Sequence, residues 1–174
     1  MSSMFSRCIS LKELDLSNFN TINVISMYGM FESCSSLKEL NLTNFNTNKV
    51  NDMNCMFKGC SSLTKINLSN FNTNNVIDMG CMFYSCSSLK ELNLSIFNTN
   101  KVKNMNLMFA ECSLLSKLDI SKFNINNVIR MKNMFTSCTS LKEIKFYNLN
   151  NNDINKLHIM FEECSDELKN NLFK

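Results

Sequence analysis

The sequence predicts an α/β solenoid, on three observations: a 26-residue period, a strand-like alternation early in each repeat and a helix-like spacing late in it. Cys8, Cys34, Cys60, Cys86, Cys112, Cys138 and Cys164 are each 26 residues apart. Phe5, Phe31, Phe57, Phe83, Phe109, Phe135 and Phe161 keep the same step, as do Leu11, Leu37, Leu63, Leu89, Leu115 and Leu141. A period held this long without insertion means that each repeat is one coil of a superhelix.

Residues 34–59 illustrate one coil. Leu37-x-x-Leu40-x-Leu42 alternates apolar and polar at its end, the period of a half-buried strand, with Leu40 and Leu42 inward and Glu39, Asn41 and Thr43 outward. Asn44-Phe45-Asn46-Thr47-Asn48 is turn-rich around one apolar ring. Val50, Met53, Met56, Phe57 and Cys60 then fall at i, i+3, i+6, i+7 and i+10, which predicts one face of a short helix. Like strands of successive coils should pair in parallel about 4.8 Å apart. Helical segments are wider than strands, so the stack should curve with its parallel sheet on the concave side and short helical segments on the convex side; the expected fold is a right-handed α/β solenoid. One coil cannot bury its own apolar face, so stability must come from stacking.

The boundaries follow the register. Residues 1–174 read as a single repeat domain of about six coils, with a partial first coil at 1–10 and a degenerate C-terminal cap over 147–174, where Glu167 replaces the expected Leu. The chain opens in mid-repeat at Met4-Phe5, leaving the strand near Leu11 to Leu16 unpaired. Either the array is longer upstream, or this uncapped N-terminal edge supports end-to-end self-association.

Composition narrows the function. The chain has no Pro, no Trp, three Gly, 30 Asn and one alanine, Ala110, with 44% hydrophobic residues. That excludes collagen-like and low-complexity chains. No apolar run approaches the roughly 18 residues of a membrane span. The net charge of +3 is too small, and the aromatics too deeply placed in the core pattern, for a nucleic-acid surface. His158 is the sole histidine, with Asp153 near it in sequence and no nucleophile in register, so no catalytic residues are assigned. No cofactor is expected: the three glycines stand alone and form no phosphate loop.

The outward positions of the strands define a candidate binding face. One stripe is Glu13, Glu39, Lys65, Glu91, Lys117 and Glu143; beside it run Asp15, Asn41, Asn67, Asn93, Asp119 and Lys145, with Tyr147 as the one exposed aromatic anchor. Lys12, Lys38, Lys90 and Lys142 sit next to the acids, so no single sign dominates. Convex positions 28, 29, 32 and 33 and their equivalents vary between coils and form a second surface. The seven-cysteine column reads as small, buried, unpaired thiols. Cys55 and Cys81 differ: on a helical wheel begun at Val50 they lie about 140° round, which predicts two exposed thiols in adjacent coils. A zinc site with Cys60 and Cys86 needs four convergent thiolates, and those two point inward, so no metal is assigned. The Asn20, Asn46, Asn72, Asn98, Asn124 and Asn150 column reads as an amide ladder at the turn. The Thr21, Thr47, Thr73 and Thr99 column fails after four coils and is too short for an ice-binding rank.

The pattern Leu-x-x-Leu-x-Leu-Ser-x-Phe-Asn-Thr-x-x-Val-x-x-Met-x-x-Met-Phe-x-x-Cys-Ser-Ser resembles the BspA-like leucine-rich-repeat surface proteins and their bacterial lipoprotein-type repeat. Leu63, Ile66, Leu68, Phe71, Asn72, Thr73, Val76, Met79, Met82, Phe83 and Cys86 carry the match, which extends over residues 4–164. The resemblance implies a leucine-rich-repeat horseshoe that works at the cell surface in adhesion or partner recognition, binding protein and, further afield, a glycan or host surface component. No export signal or anchor is visible in the chain, which leaves the location open between surface and cytoplasm. An intracellular protein-interaction scaffold is the rival reading, favoured by the many cysteines. A thiol redox or metal site at Cys55 and Cys81 is the third.

Overall fold

The computed structural model describes residues 1–146, 154–162, 164 and 168–169. Successive 26-residue coils stack in register along one continuous apolar core that runs from Leu16 to Leu168. Leu40 and Leu42 point into it while Glu39 and Asn41 face water, as the alternation requires. Strand β1 (Glu39–Leu40) pairs in parallel with β2 (Lys65–Ile66), Glu39 opposite Lys65. Strand β3 (Lys117–Ile120) pairs likewise with β4 (Glu143–Phe146), Lys117 opposite Glu143. Each partner is the residue one period on. The sheet is shorter than the pattern predicts: residues 90–94 keep Leu92 and Leu94 buried without forming a strand. A second line of parallel bridges joins Ser26, Asp52, Asp78, Asn104 and Arg130.

The predicted convex helices are absent from the coils before the last, where the segment equivalent to 50–56 is the helix over 154–160. Met53 to Cys60 forms linked turns, in which the N–H groups of Met56, Lys58 and Cys60 donate to the carbonyls of Met53, Cys55 and Phe57 at 3.1–3.2 Å. The intervening N–H groups leave the coil: Met53, Cys55, Phe57 and Gly59 donate to Asp78, Gly80, Met82 and Tyr84 at 2.7–3.0 Å. An α-helix would keep its backbone bonds inside the segment and is about 10 Å wide. The linked turns give half their donors to the next coil, and so stack at strand spacing. Apolar residues three and four apart are common to both geometries, which is why the spacing suggested a helix. The turns need φ > 0 at Cys55 and Gly59 (+58° and +72°) and at the positions one period away. The segment α1 (Ile154–Met160) is α-helical. Two carbonyls in its last turn, those of Ile159 and Met160, accept N–H groups of Asn133 and Phe135 from the coil before.

Side-chain ladders reinforce the stack. The rings from Phe5 to Phe161 lie parallel, with centroids 5.0–5.9 Å apart from one coil to the next. Cys34, Cys60, Cys86, Cys112 and Cys138 each donate S–H to the carbonyl of the Phe in the preceding coil at 3.0–3.1 Å. They are hydrogen-bonded links as well as small apolar fillers. Cys8, at the front of the column, is exposed. The threonine column is fully internal. The Thr47 hydroxyl donates to the Asn72 carbonyl at 2.9 Å and accepts the Asn72 N–H at 2.7 Å, a pattern repeated at Thr21, Thr73 and Thr99. The asparagine amides ladder as expected, with Asn72, Asn98 and Asn124 donating to Asn48, Asn74 and Asn100 at 2.8 Å.

Candidate functional site

Every described residue of the two outward stripes is exposed, from Glu13 and Asp15 to Glu143 and Lys145. In the first four coils they line an open groove of about 1410 Å³. Its walls include Glu13, Glu39, Asn41, Lys65, Asn67, Glu91 and Asn93. Asp15, Lys117, Asp119, Glu143 and Lys145 lie on the same strand side but outside the groove. Tyr147, and most of the cap at 147–174, lie outside the described residues.

The two stripes differ in what they are free to do. Asp15, Asn41, Asn67, Asn93 and Asp119 each accept the N–H of the residue two further on, at 2.9–3.1 Å. This is the turn that ends the strand segment, so the second stripe has a structural duty. The backbone bond from Ser17 holds the Asp15 carboxyl below its ordinary range, and the Ser121 hydroxyl and N–H do the same for Asp119. The first stripe, two residues earlier in each coil, lies ahead of that turn. There Lys117 pairs with Glu143 at 3.2 Å in an open, well-solvated bridge.

Lys12, Lys38 and Lys90 also line the groove, with Ser36, Ser62 and Thr64. These lysines were not counted as site residues, although their place beside the acids in sequence was the available signal. The result is alternating ammonium and carboxylate groups over a floor that mixes Ser36, Ser62 and Thr64 with Leu14, Leu40 and Ile66, without the single-sign field that a polyanion calls for.

Cys55 and Cys81 are not the exposed pair that the helical wheel predicted. Cys55 is 7% exposed and Cys81 is half-buried. The wheel assumed helical backbone, whereas φ > 0 turns these side chains back against the coil. Among the described residues no three His, Cys, Asp or Glu side chains converge to hold a metal ion. His158 stands exposed on α1, and no described helix is long and apolar enough to cross a membrane.

The family described as "Mycoplasma protein of unknown function, DUF285" matches twice, over residues 1–94 and 61–173. The chain belongs to this family. The two matches overlap, as expected when one repeat pattern is laid on a longer array at two registers. A crystal structure of a leucine-rich-repeat protein from T. pallidum superimposes with a TM-score of 0.59 at 20% identity, over 99% of this chain and 73% of that one. A leucine-rich cell surface protein from Faecalibacterium prausnitzii A2-165 aligns at 19% identity with a TM-score of 0.38, over 63% of this chain and 31% of that one. No curated relative matches the chain. The family is thus of the BspA-like leucine-rich-repeat kind inferred from the motif, and the fold is a leucine-rich-repeat solenoid. Neither the family nor these structures is described as an enzyme.

Proposed function

We propose that this solenoid is a single, non-enzymatic interaction module that recognises a protein partner at a cell surface through its strand-side groove. The observation that carries the reading is the groove itself: about 1410 Å³, open, and lined by interspersed Lys and Glu that no internal structural bond consumes. Mixed charge of this kind gives orientation and selectivity to a macromolecular contact more than raw affinity. The surface setting is supported by the resemblance of the repeat to surface leucine-rich repeats. A glycan or host surface component is a further partner class for the same polar walls.

The test is adhesion of beads coated with the purified chain to intact cells and to immobilised surface glycoproteins. Reversing the groove with Lys38→Glu, Glu39→Lys and Lys65→Glu should lower adhesion at least about tenfold, the scale of losing one or two charge pairs. Reversing Lys49 and Lys101, which bond Asn23 and Asn75 on another side of the coil, should leave it unchanged. Equal adhesion by the groove variant and the native chain would remove this reading. Deglycosylating the target separates protein from glycan recognition.

A further inference from the structure

We propose that Cys55 and Cys81 form a two-thiol redox site, in which a peroxide oxidises Cys81 and Cys55 resolves the product as a disulfide joining two adjacent coils. The inference begins with register. The two residues are equivalent positions of neighbouring coils, and the Cys55 N–H donates to the Gly80 carbonyl at 2.9 Å while the Cys81 N–H donates to that of Asn106 at 2.8 Å. Two residues on, the rings of Phe57 and Phe83 stack at 5.5 Å. Coils this close place equivalent Cα atoms within the roughly 4.4–6.8 Å that a disulfide spans. Both residues have nearly the same φ, +58° and +54°, so their Cβ atoms project in the same direction, one above the other. Stacked in this way on neighbouring coils, the two thiols are near enough for each to shift the other's ionisation.

Backbone preference does not account for cysteine here. The column runs Ser3, Gly29, Cys55, Cys81, Leu107 and Asn133, all at φ > 0, where Gly or Asn is the low-cost choice. Two adjacent coils carry thiols instead.

The pair is also chemically unlike the seven-member column. Burial pushes the thiols of Cys34, Cys60 and Cys112 up to about 11, about 12 and about 12, and their S–H groups are held by carbonyls. Cys81 is the more exposed of the pair. The hydrogen bond from Cys55 lowers Cys81 to about 7 against the opposing effect of burial, and the Lys58 ammonium assists. Lys58 is fixed there by Glu32 at 3.0 Å. Cys55, donating that bond and more deeply buried, is held in the protonated form. One thiol is therefore poised to attack and the other to resolve.

With hydrogen peroxide the steps balance as follows. The Cys81 thiolate forms an S–O bond as the O–O bond breaks, giving a sulfenic acid and a hydroxide that takes a proton to become water. Cys55 Sγ then bonds to Cys81 Sγ, the S–O bond breaks, and the Cys55 proton leaves with the departing oxygen as a second water. Two thiols are oxidised and one peroxide is reduced to two waters.

The experiment treats the reduced full chain at neutral pH with one equivalent of hydrogen peroxide, followed by intact mass and peptide mapping. The expected product has lost two hydrogen masses, carries the single cross-link Cys55–Cys81, and reverts with dithiothreitol. In Cys55→Ser, dimedone should trap a sulfenic acid at Cys81; in Cys81→Ser, Cys55 should stay unmodified. Iodoacetamide should label Cys81 at least about tenfold faster than Cys60. Its pH profile should be centred near 7 in the native chain and move to the ordinary thiol range in Cys55→Ala, which removes the donor. Cross-links confined to the seven-member column, or a Cys81 no faster than Cys60, would overturn the proposal.

Discussion

Along the strand side of the coils, parallel pairing extends two residues between β1 and β2 and four between β3 and β4, and residues 90–94 have no strand at all. Along the turn side the ladder is unbroken: the N–H groups of Phe5, Phe31, Phe57, Phe83, Phe109 and Phe135 each donate to the Met carbonyl one coil on, at 2.9–3.4 Å. Stacked rings, S–H links and threonine hydroxyls add to that side, while the strand side adds the exposed ion pair between Lys117 and Glu143 and a 3.3 Å bond from the Thr64 hydroxyl to the Lys38 carbonyl. The stack is held by its turns. The strand face, relieved of that work, can change sign from coil to coil, as Glu39, Lys65, Glu91 and Lys117 do.

This contrast can be broken most severely with alkali. The ordinary thiol value here is 9.0, and burial raises Cys34 to about 11 and Cys60 and Cys112 to about 12. Between those limits the unfolded chain gives up protons that the folded chain retains. The stability from these thiols is therefore complete below about pH 9 and is lost as pH rises towards 12. Thermal melts should fall steeply over that window, and the fall should be shallower when Cys60 and Cys112 are both replaced by Ala. A slope unaffected by the replacement would detach the thiol column from the stack's stability.

Next in size is Phe83→Ala, which removes a fully buried ring from between Phe57 and Phe109. It should cost about 3–5 kcal/mol by urea denaturation. Thr73→Val keeps the shape but leaves the Asn98 carbonyl and N–H without the hydroxyl that serves both. The expected loss is about 1–3 kcal/mol. Smallest is Lys117→Ala on the strand face, which breaks the bridge to Glu143 between side chains 75% and 48% exposed. Solvent screening keeps that below about 0.5 kcal/mol. A strand-face loss as large as that of Thr73→Val would reverse the assignment of which side holds the molecule together.

Much of this architecture was legible in the chain because a stack of identical coils turns sequence register into spatial register. The Phe, Leu and Cys columns could be written down before any coordinates, and so could the inward Leu40 and Leu42 and the outward Glu39 and Asn41. The turn side was misread, because apolar residues three and four apart fit a helix and a run of linked turns equally well. That one error carried the error at Cys55 and Cys81, whose exposure had been argued from a helical wheel.

By itself, the sequence determined the period, the composition of each column and which strand positions meet water, since apolar burial and side-chain alternation are local properties repeated in step. Only the tertiary structure decided where the backbone donors go. Whether Phe57 N–H bonds within its own coil or to Met82 depends on a neighbour one period away being at hand. The same proximity sets Lys38 of one coil beside Lys65 of the next in the groove and places two thiols of adjacent coils next to each other.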